Sequence, residues 1–463
     1  MKKGQKTNLT FIADTHYYSP SLGTSGRSYE LRSDSDQKCL KETGGIIDAA
    51  FSHIEKSDTQ AVMIIGDLTN DGERVCHEEF RQKLYKLQKS KPVYVITATH
   101  DWCCDENPRM FDGQAVYHDV PTVAHDELRS FYYDFGPKQA KDEYVTHLGV
   151  CSYTVDIGKD VRLLALNDDQ NGKGRAGFKE EHFCFIENEI KKAKADGKIL
   201  IGMEHHLIIA HTNPLITGGG TCVGDREYVA SRLADAGLKY MFTGHSHLQR
   251  IASFTSEKGN TITQINVGSL CGYPSPIVNV SVSEEGLEIS TDCAKKFVHN
   301  GKAYDTKNYL ASHAYKLIDK VLESADADKY EFRDRLTALQ LDGEKFMPLY
   351  FMIKPVLKRI KKAKVKDVYK LLRLMHLSKN INERDALLMG EKPVLEIAYE
   401  IMLSAFDGSA VRHEKGSIYY NTVMPVFEML SKLCPCKLTK DIKDTIYTLL
   451  VGDEYDINAC TIK

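Results

Sequence analysis

The sequence predicts an α/β protein with mixed β-sheets packed face to face and helices outside, followed by a separate helical region. Two observations support this fold class. Over the first 300 residues, short apolar runs typical of buried strands alternate with helical segments. From about Ala303 onward the strand-like runs nearly vanish, and apolar residues repeat at helical spacing. We therefore expect mixed sheets in the first part and an all-α domain after them.

Length and composition are those of a globular chain with more than one domain. The chain has 463 residues, which exceeds the usual size of one domain. The net charge is only -3, so no global field favours nucleic acid or membrane as a partner. No apolar run is long enough to cross a bilayer, and the first segment lacks the features of a secretory signal. We therefore expect a cytoplasmic protein whose 12 cysteines are reduced.

The first three predicted strands each lead into polar residues. They are FIADTH (11–16), MIIGD (63–67) and YVITATHD (94–101). Helices are predicted between them at 35–56, with Ser33 or Ser35 available as a cap, and at 77–90. A further helix is expected at 126–136.

The next elements combine a hairpin with strand–helix–strand units. Gly158 and Lys159 separate two alternating runs, 151–158 and 161–168, which predicts a hairpin. A helix over 179–197 ends at a glycine and precedes a strand at 199–206. A helix at 226–237, a strand at 240–247, and strands at 262–270, 277–286 and 287–293 complete the region. We place the domain boundary so that residues 1–300 form the α/β domain and residues 301–463 the C-terminal helical domain.

Five of the apolar runs end in aspartates and histidines. These residues are Asp14, His16, Asp67, His100, His205, His206, His245 and His247. A single histidine at a strand end is usually a surface or core residue, but carboxylates and imidazoles gathered at one rim bind first-row divalent metals. Positions i and i+2 of an extended segment point the same way, so the side chains of Asp14 and His16 reach one ion. Asp67 follows Gly66 and is placed to offer an oxygen to each of two ions.

The order of these motifs resembles that of the calcineurin-like metallophosphoesterases. The motifs are D-x-H at Asp14 and His16, G-D at Asp67, H-D at His100 and Asp101, H at His205, and G-H-x-H at His245 and His247. The resemblance covers about the first 290 residues. It implies a four-layer α/β/β/α sandwich and hydrolysis of phosphate monoesters or diesters by a hydroxide that bridges two divalent ions. The ions implied are manganese, iron, zinc or nickel.

The resemblance also implies a role for each residue. Asp14, His16, Asp67 and His247 would hold the first ion, and Asp67, His205 and His245 the second. His206 is the rival of His205, although the first histidine of such a pair is usually the ligand. His100 would be the general acid, and Asp101 would position it.

One position departs from the family pattern. Where the family has an asparagine before His100, this chain has Thr99, whose hydroxyl is a shorter and poorer metal ligand than an amide oxygen. Thr99 therefore weakens the expected second site. A degenerate member that binds a phosphate compound without turnover is the alternative that this position leaves open.

The stretch from Lys354 to Lys379 is strongly basic. It contains ten lysines and arginines and one acidic residue, Asp367, with apolar residues at amphipathic helical spacing. One interpretation is a solvated basic face over a core; the other is a surface for anionic lipid or nucleic acid. A small-molecule phosphate ester is the partner expected at the metal site, and a nucleic-acid phosphodiesterase that uses the basic helices is the second alternative.

Overall fold

The fold is built on two large sheets that lie face to face. A computed structural model describes residues 6–169, 176–211, 225–339, 343–409, 413–451 and 455–463. Both sheets contain parallel and antiparallel strands, and a set of helices follows them along the chain. The predicted α/β class, the mixed sheets and the C-terminal helical region are confirmed.

The first sheet has six strands and is parallel on one side. Strands β1 (Thr7–Ala13), β2 (Ala61–Ile65) and β3 (Val93–Ile96) are parallel neighbours and correspond to the first three apolar runs. On the other side of β1, the antiparallel strands are β13 (Ile277–Ser283), β14 (Gly286–Asp292) and β17 (Ala459–Ile462). Every residue of β2 is buried, as expected for a parallel strand that is covered on both faces.

The second sheet has seven strands. They are β6 (Asp142–Val145), β7 (Cys151–Ile157), β8 (Val161–Ala165), β9 (Ile199–Met203), β10 (Tyr240–Thr243), β11 (Arg250–Thr255) and β12 (Thr261–Asn266). Their order in the sheet is β11-β12-β10-β9-β8-β7-β6, with parallel pairing from β8 through β9 and β10 to β12. Strands β7 and β8 form the predicted antiparallel hairpin, and Gly158 supplies the positive φ that its turn needs.

Helices cover both outer faces of the sandwich. They are α1 (Arg27–Ser33), α2 (Thr43–Glu55), α3 (Arg74–Gln88), α4 (Leu128–Phe131), α5 (Glu180–Ala195) and α6 (Arg226–Ala236). Between the sheets, the rings of Phe11 and Phe242 stack with centroids 3.7 Å apart. Phe80 of α3 lies in the core on one outer face, and Ile186 of α5 lies in the core on the other. The four layers implied by the resemblance are therefore present.

Several local predictions differ from the structure. The helix expected at 126–136 is only the four residues of α4, because the chain leaves the helical conformation at Tyr132, which has φ -105 and ψ 18. The helix expected at 35–56 begins at Thr43, because the preceding segment is drawn into the core, where the Cys39 amide donates to the Cys271 carbonyl. The strands that the sequence did not predict are β4 (Met110–Asp112), β5 (Ala115–Tyr117), β6, β11, β15 (Lys296–His299), β16 (Lys302–Asp305) and β17, and all but the six-residue β11 have only three or four residues.

The C-terminal helices begin directly after β16. Asp305 starts the first of them, because its carboxylate accepts a hydrogen bond of 3.0 Å from the Asn308 amide. These helices are α7 (Thr306–Ala327), α8 (Lys329–Ala338), α9 (Gly343–Phe346), α10 (Tyr350–Ile360), α11 (Val365–Leu374), α12 (Glu383–Leu388), α13 (Val394–Asp407), α14 (Ile418–Leu433) and α15 (Lys437–Leu450). Within the described ranges, none of the helices combines the length and apolar character needed to cross a bilayer.

Residues 459–462, which follow the helices in sequence, lie in the sandwich and not among the helices. Strand β17 pairs antiparallel with β14, with Ile462 opposite Leu287. Ile457 and Ile462 are buried in the core between the sheets. A Cβ on Gly286 would lie 2.0 Å from the Ile462 carbonyl oxygen, so only glycine fits beside this strand. The last residues thus extend the first sheet although they lie far beyond residue 300.

Candidate metal centre

The predicted site residues meet at one rim of the sandwich. Asp14 follows β1 and Asp67 follows β2, while His205 follows β9 and His245 follows β10. Strands β1 and β2 are parallel neighbours in one sheet, and β9 and β10 are parallel neighbours in the other. The carboxyl ends of the two pairs therefore face each other across the sandwich.

Two glycines let the backbones of the two sheets approach each other closely. A Cβ on Gly66 would lie 2.4 Å from Nδ1 of His205. A Cβ on Gly244 would lie 2.6 Å from a carboxylate oxygen of Asp14. Any larger residue at either position would displace a predicted site residue.

The backbone of the site is held in an unusual conformation. Asp14, His16, Asp67, His245 and His247 have φ values of 51°, 40°, 47°, 68° and 58°. Non-glycine residues rarely adopt this left-handed region, and such strain collects at functional sites. Only ten non-glycine residues in the described ranges have positive φ, and five of them are predicted metal ligands.

The first donor cluster contains Asp14, His16 and His247. Nε2 of His16 and Nε2 of His247 are 3.1 Å apart, and they lie 3.7 Å and 3.4 Å from Oδ1 of Asp14. Oδ2 of Asp67 lies 3.8 Å from Nε2 of His16. The donor atoms of Asp14, His16 and His247 are close enough to share one ion.

The second donor cluster adjoins the first through Asp67. Nε2 of His205 lies 3.1 Å from Oδ2 of Asp67 and 3.2 Å from Nδ1 of His245. Nδ1 of His205 lies 3.2 Å from the Ile65 carbonyl oxygen, and donation to that oxygen orients the ring so that Nε2 faces Asp67. Asp67 is therefore within reach of donors from both clusters.

The protonation states of these groups fit divalent cations. Burial opposes ionisation of Asp14 and Asp67, but the neighbouring histidines outweigh it and lower both pKa values. Burial, with Lys38, lowers the pKa of His16 to about 3, and burial with the nearby histidines lowers that of His245. Ionised carboxylates and neutral imidazoles are the forms that bind metal ions. Burial also opposes the charge on His205, yet Asp67 raises its pKa to about 10, so this position favours positive charge.

His206 adjoins the second cluster and has a partner that sequence analysis missed. Its Nδ1 lies 2.9 Å and 3.0 Å from the two carboxylate oxygens of Asp168. A donor atom of His206 also lies in one group with His205 and His245. Asp168 lies shortly after β8. The acidic pair Asp168 and Asp169, which follows the apolar run of that strand, is the sequence signal that could have identified it.

His100 lies beside the donor clusters and contacts residues that were not predicted. Its ring meets that of His16 edge to face, with centroids 4.9 Å apart. Its Nδ1 hydrogen-bonds the Asn70 carbonyl and lies 3.5 Å from Oδ1 of Asp71. Burial opposes protonation of His100, but the charge of Asp67 and the contact with Asp71 raise its pKa.

The Asp101 carboxylate lies among the backbone amides of two loops. Its carboxylate accepts hydrogen bonds of 2.9 Å from the amides of Ala98 and Thr69, and one of 3.1 Å from the Thr69 hydroxyl. Among the described residues, the imidazole of His100 is held by Asn70 and Asp71 and not by Asp101. Asp101 therefore fixes the loops that carry His100, because its side chain ties the segment after β3 to the segment after β2.

Thr99 is buried in the short turn Thr99–Trp102 that follows β3. The amide of the next residue, His100, donates a hydrogen bond of 3.1 Å to Oδ1 of Asp67. The turn that carries Thr99 therefore lies against the aspartate that joins the two clusters.

Three cations near the clusters were not predicted from the sequence. The buried ammonium of Lys38 lies 3.5 Å from Nδ1 of His16. Arg109 lies 2.9 Å and Arg32 lies 3.9 Å from the carboxylate of Asp71. Burial would raise the pKa of Asp71, but His100 and the two arginines lower it to about 2. No local motif marks these residues, because their segments lie in irregular loops and helix ends.

A sandwich that carries paired carboxylate and imidazole clusters at its rim is typical of hydrolases that use two divalent metal ions. The family model of the calcineurin-like phosphoesterases matches residues 7–249. The chain belongs to this family, and it is a metallophosphoesterase. The predicted family and reaction class are thereby confirmed, and the family together with the candidate His/Asp groups indicates a dinuclear centre of divalent metals.

The solved structures to which this chain is similar include phosphatases and a nucleotidase. A dimetal phosphatase from Danio rerio is 11% identical, with a TM-score of 0.43, over 65% of this chain and 99% of that chain. A purple acid phosphatase from yellow lupin (Lupinus luteus) seeds is 14% identical, with a TM-score of 0.42, over 65% of this chain and 53% of that chain. An NAD nucleotidase from Haemophilus influenzae is 12% identical, with a TM-score of 0.30, over 78% of this chain and 62% of that chain. A search of curated proteins gave no match.

Proposed function

We propose that this metallophosphoesterase hydrolyses small-molecule phosphate esters at the rim formed by Asp14 and Asp67. The observation that carries the proposal is the position of Asp67 between the two donor clusters, 3.8 Å from His16 and 3.1 Å from His205. Asp14, His16, Asp67 and His247 would hold one ion. Asp67, His205 and His245 would hold the other, with the Thr99 hydroxyl as a weak additional ligand.

The remaining site residues would act on the substrate directly or through their neighbours. Two divalent ions acidify a water molecule and neutralise charge on a phosphoryl group. His100 would donate a proton to the leaving-group oxygen from Nε2, since Nδ1 is occupied by Asn70 and Asp71. Asp101 would act as a positioning residue for the loops on both sides.

The charges around the clusters support an anionic substrate. Lys38, Arg32 and Arg109 place three cations close to the clusters. The side chains of Arg32 and Arg109 are about one fifth exposed, and both pair with Asp71 beside His100. An arginine fork matches the geometry of phosphate oxygens, which favours a phosphate ester over an uncharged ester.

The domain organisation that we propose takes account of β17, the strand that pairs with β14 after the helical region. Residues 7–305 together with 455–462 would form the catalytic sandwich, and residues 306–450 a helical module between them. The cysteines of the described ranges are free thiols, which supports the proposed cytoplasmic location.

A substrate panel tests the proposal directly. The purified full chain would be supplied in turn with manganese, iron, zinc and nickel, and assayed on p-nitrophenyl phosphate, bis(p-nitrophenyl) phosphate and nucleotides. We expect hydrolysis to depend on added metal and to be lost in Asp67→Ala. The matched control is Asp112→Ala, which removes an exposed carboxylate from β4. Two bound ions without turnover of any phosphate ester would favour the degenerate, ligand-binding alternative.

A further inference from the structure

The C-terminal helices expose an unusual number of large apolar side chains. The described ranges contain 19 exposed large apolar residues, and eight of them lie between residues 351 and 388. They include Phe351, Met352, Leu371, Leu374, Leu387 and Leu388, with Leu374 80% and Phe351 77% exposed. Scattered exposed apolar residues are ordinary, but a group confined to neighbouring helices marks an interaction surface.

The same helices carry uncompensated positive charge. The segment 354–379 has ten basic residues and only Asp367 as an acidic one. Some of the cations are paired within the protein; Lys361, for example, lies 2.6 Å from Asp326. Lys358, Arg359 and Lys362 are exposed, and no ion pair links them to any residue that the structure describes. The surface is therefore apolar and cationic at once.

An apolar cavity of about 580 Å³ is lined in part by these helices. One side of α11 lines it through Val365, Val368, Tyr369 and Leu372, whose spacing is that of one helical face. The other side of α11 carries Lys370, Leu371 and Leu374, which are exposed. Helix α11 thus separates the cavity from the basic and apolar surface.

The chemistry of the cavity restricts what it can hold. Its opposite wall includes Ile397, Ile401 and Phe427 from α13 and α14, and the lining is almost wholly apolar. The volume is in the range that accommodates a small ligand. A nucleotide or sugar would lose hydrogen bonds to water without replacement there, whereas an alkyl chain would gain about 0.8 kcal/mol per buried methylene group.

We propose that the helices α10 to α12 bind the surface of an anionic phospholipid bilayer and that the adjoining cavity receives one acyl chain. The exposed apolar side chains would enter the interface, while Lys358, Arg359 and Lys362 contact lipid phosphates. Nucleic acid fits these observations less well, because phosphate contacts would use the cations but leave the exposed leucines and the cavity without a role. This inference is independent of the reaction at the metal centre.

Vesicle sedimentation of the full chain tests the charge component. We expect sedimentation with vesicles of phosphatidylcholine mixed with phosphatidylglycerol, and little with phosphatidylcholine alone. Each cation near an anionic surface contributes about a fivefold change in partitioning, so K358Q/R359Q/K362Q should bind about 100-fold more weakly. The matched control K191Q/K194Q/K239Q removes three exposed lysines from the sandwich and should bind as the unmodified chain does. Equal binding by both triple variants, or no preference for anionic vesicles, would overturn the proposal.

Two further variants test the apolar component. F351S/L374S keeps every charge but removes the two most exposed apolar side chains, and it should bind anionic vesicles at least tenfold more weakly. Ala398→Phe would fill the cavity from α13, and it should reduce the affinity for dispersed dihexanoyl-phosphatidylglycerol measured by calorimetry. Thermal melting by circular dichroism would verify that each variant is folded. Unchanged vesicle binding by folded F351S/L374S, together with salt-sensitive binding of DNA or RNA, would contradict the lipid proposal and favour a nucleic-acid surface. Unchanged lipid affinity of folded Ala398→Phe would contradict the proposed acyl-chain site.

Discussion

Substitution of Ile462 tests whether the end of the chain stabilises the sandwich. Ile462 is 3% exposed and lies in the core between the sheets, in register with Leu287. Truncation of a buried isoleucine to alanine costs about 2–5 kcal/mol, and β17 lies at the edge of its sheet, where neighbouring residues can relax, so we expect about 2–3 kcal/mol for Ile462→Ala. Deletion of residues 455–463 also removes Ile457, and two buried isoleucines correspond to about 3–6 kcal/mol. Such a loss is a large fraction of the stability of an ordinary domain.

Urea unfolding monitored by far-ultraviolet circular dichroism measures this effect. Ile462→Ala should shift the unfolding transition to lower urea, and the deletion should shift it further. Leu374→Ala, which truncates a leucine that is 80% exposed in the helical region, is the matched control and should change stability by less than about 0.5 kcal/mol. A transition of Ile462→Ala that coincides with that of the control would refute the argument that β17 is an integral strand.

Four further predictions concern the site and its surroundings. Asp67→Ala should deplete both ions, as measured by elemental analysis, and lower hydrolysis by about 10³-fold, because it removes the residue shared by the two clusters. His100→Asn should retain metal but lose about 10²–10⁴-fold in turnover of esters with poor leaving groups, and less with an activated leaving group; equal losses in both assays would contradict the role of proton donor. Thr99→Asn should tighten the second site about tenfold in calorimetric manganese titrations, while activity at saturating manganese changes less; weaker binding would show that the amide does not fit. His77 is buried between the Tyr132 hydroxyl and the Asp101 carbonyl, and burial lowers its pKa to about 4. Since its folded-state pKa is depressed, stability should be full above about pH 6.5 and fall by about 3 kcal/mol toward pH 4, and His77→Gln should show a shallower pH dependence in urea titrations.

The site residues that can be predicted from the sequence are those that directly follow a recognisable apolar run. Asp14, Asp67 and His205 each end an apolar run, and parallel strands bring such ends to one rim. The residues that contact His100 could not be predicted from such local patterns. Asp71 and Asn70 reach the imidazole because the loop after β2 bends toward the turn after β3, and that bend depends on tertiary contacts through Asp101.

Strand β17 shows a second limit of sequence analysis. The four residues of β17 are too few for alternation to be recognised, and they follow a long helical region. Their position depends on the free edge of β14 and on Gly286, which are distant in sequence. The last strand is therefore a non-local feature, whereas the long helices, such as α7, were visible from their own periodicity.

The left-handed backbone at five predicted ligand positions has a consequence for sequence variation. Glycine adopts positive φ without the steric cost that aspartate or histidine bears, so Asp14→Gly or His247→Gly would relieve local strain while removing a donor atom. A library of variants selected only for resistance to heat would therefore drift toward glycine at these positions and become inactive. Selection for turnover would restore the original residues. The residues selected in the two screens would differ most at the predicted metal ligands. The positions of these differences would therefore locate the metal centre without any knowledge of its substrate.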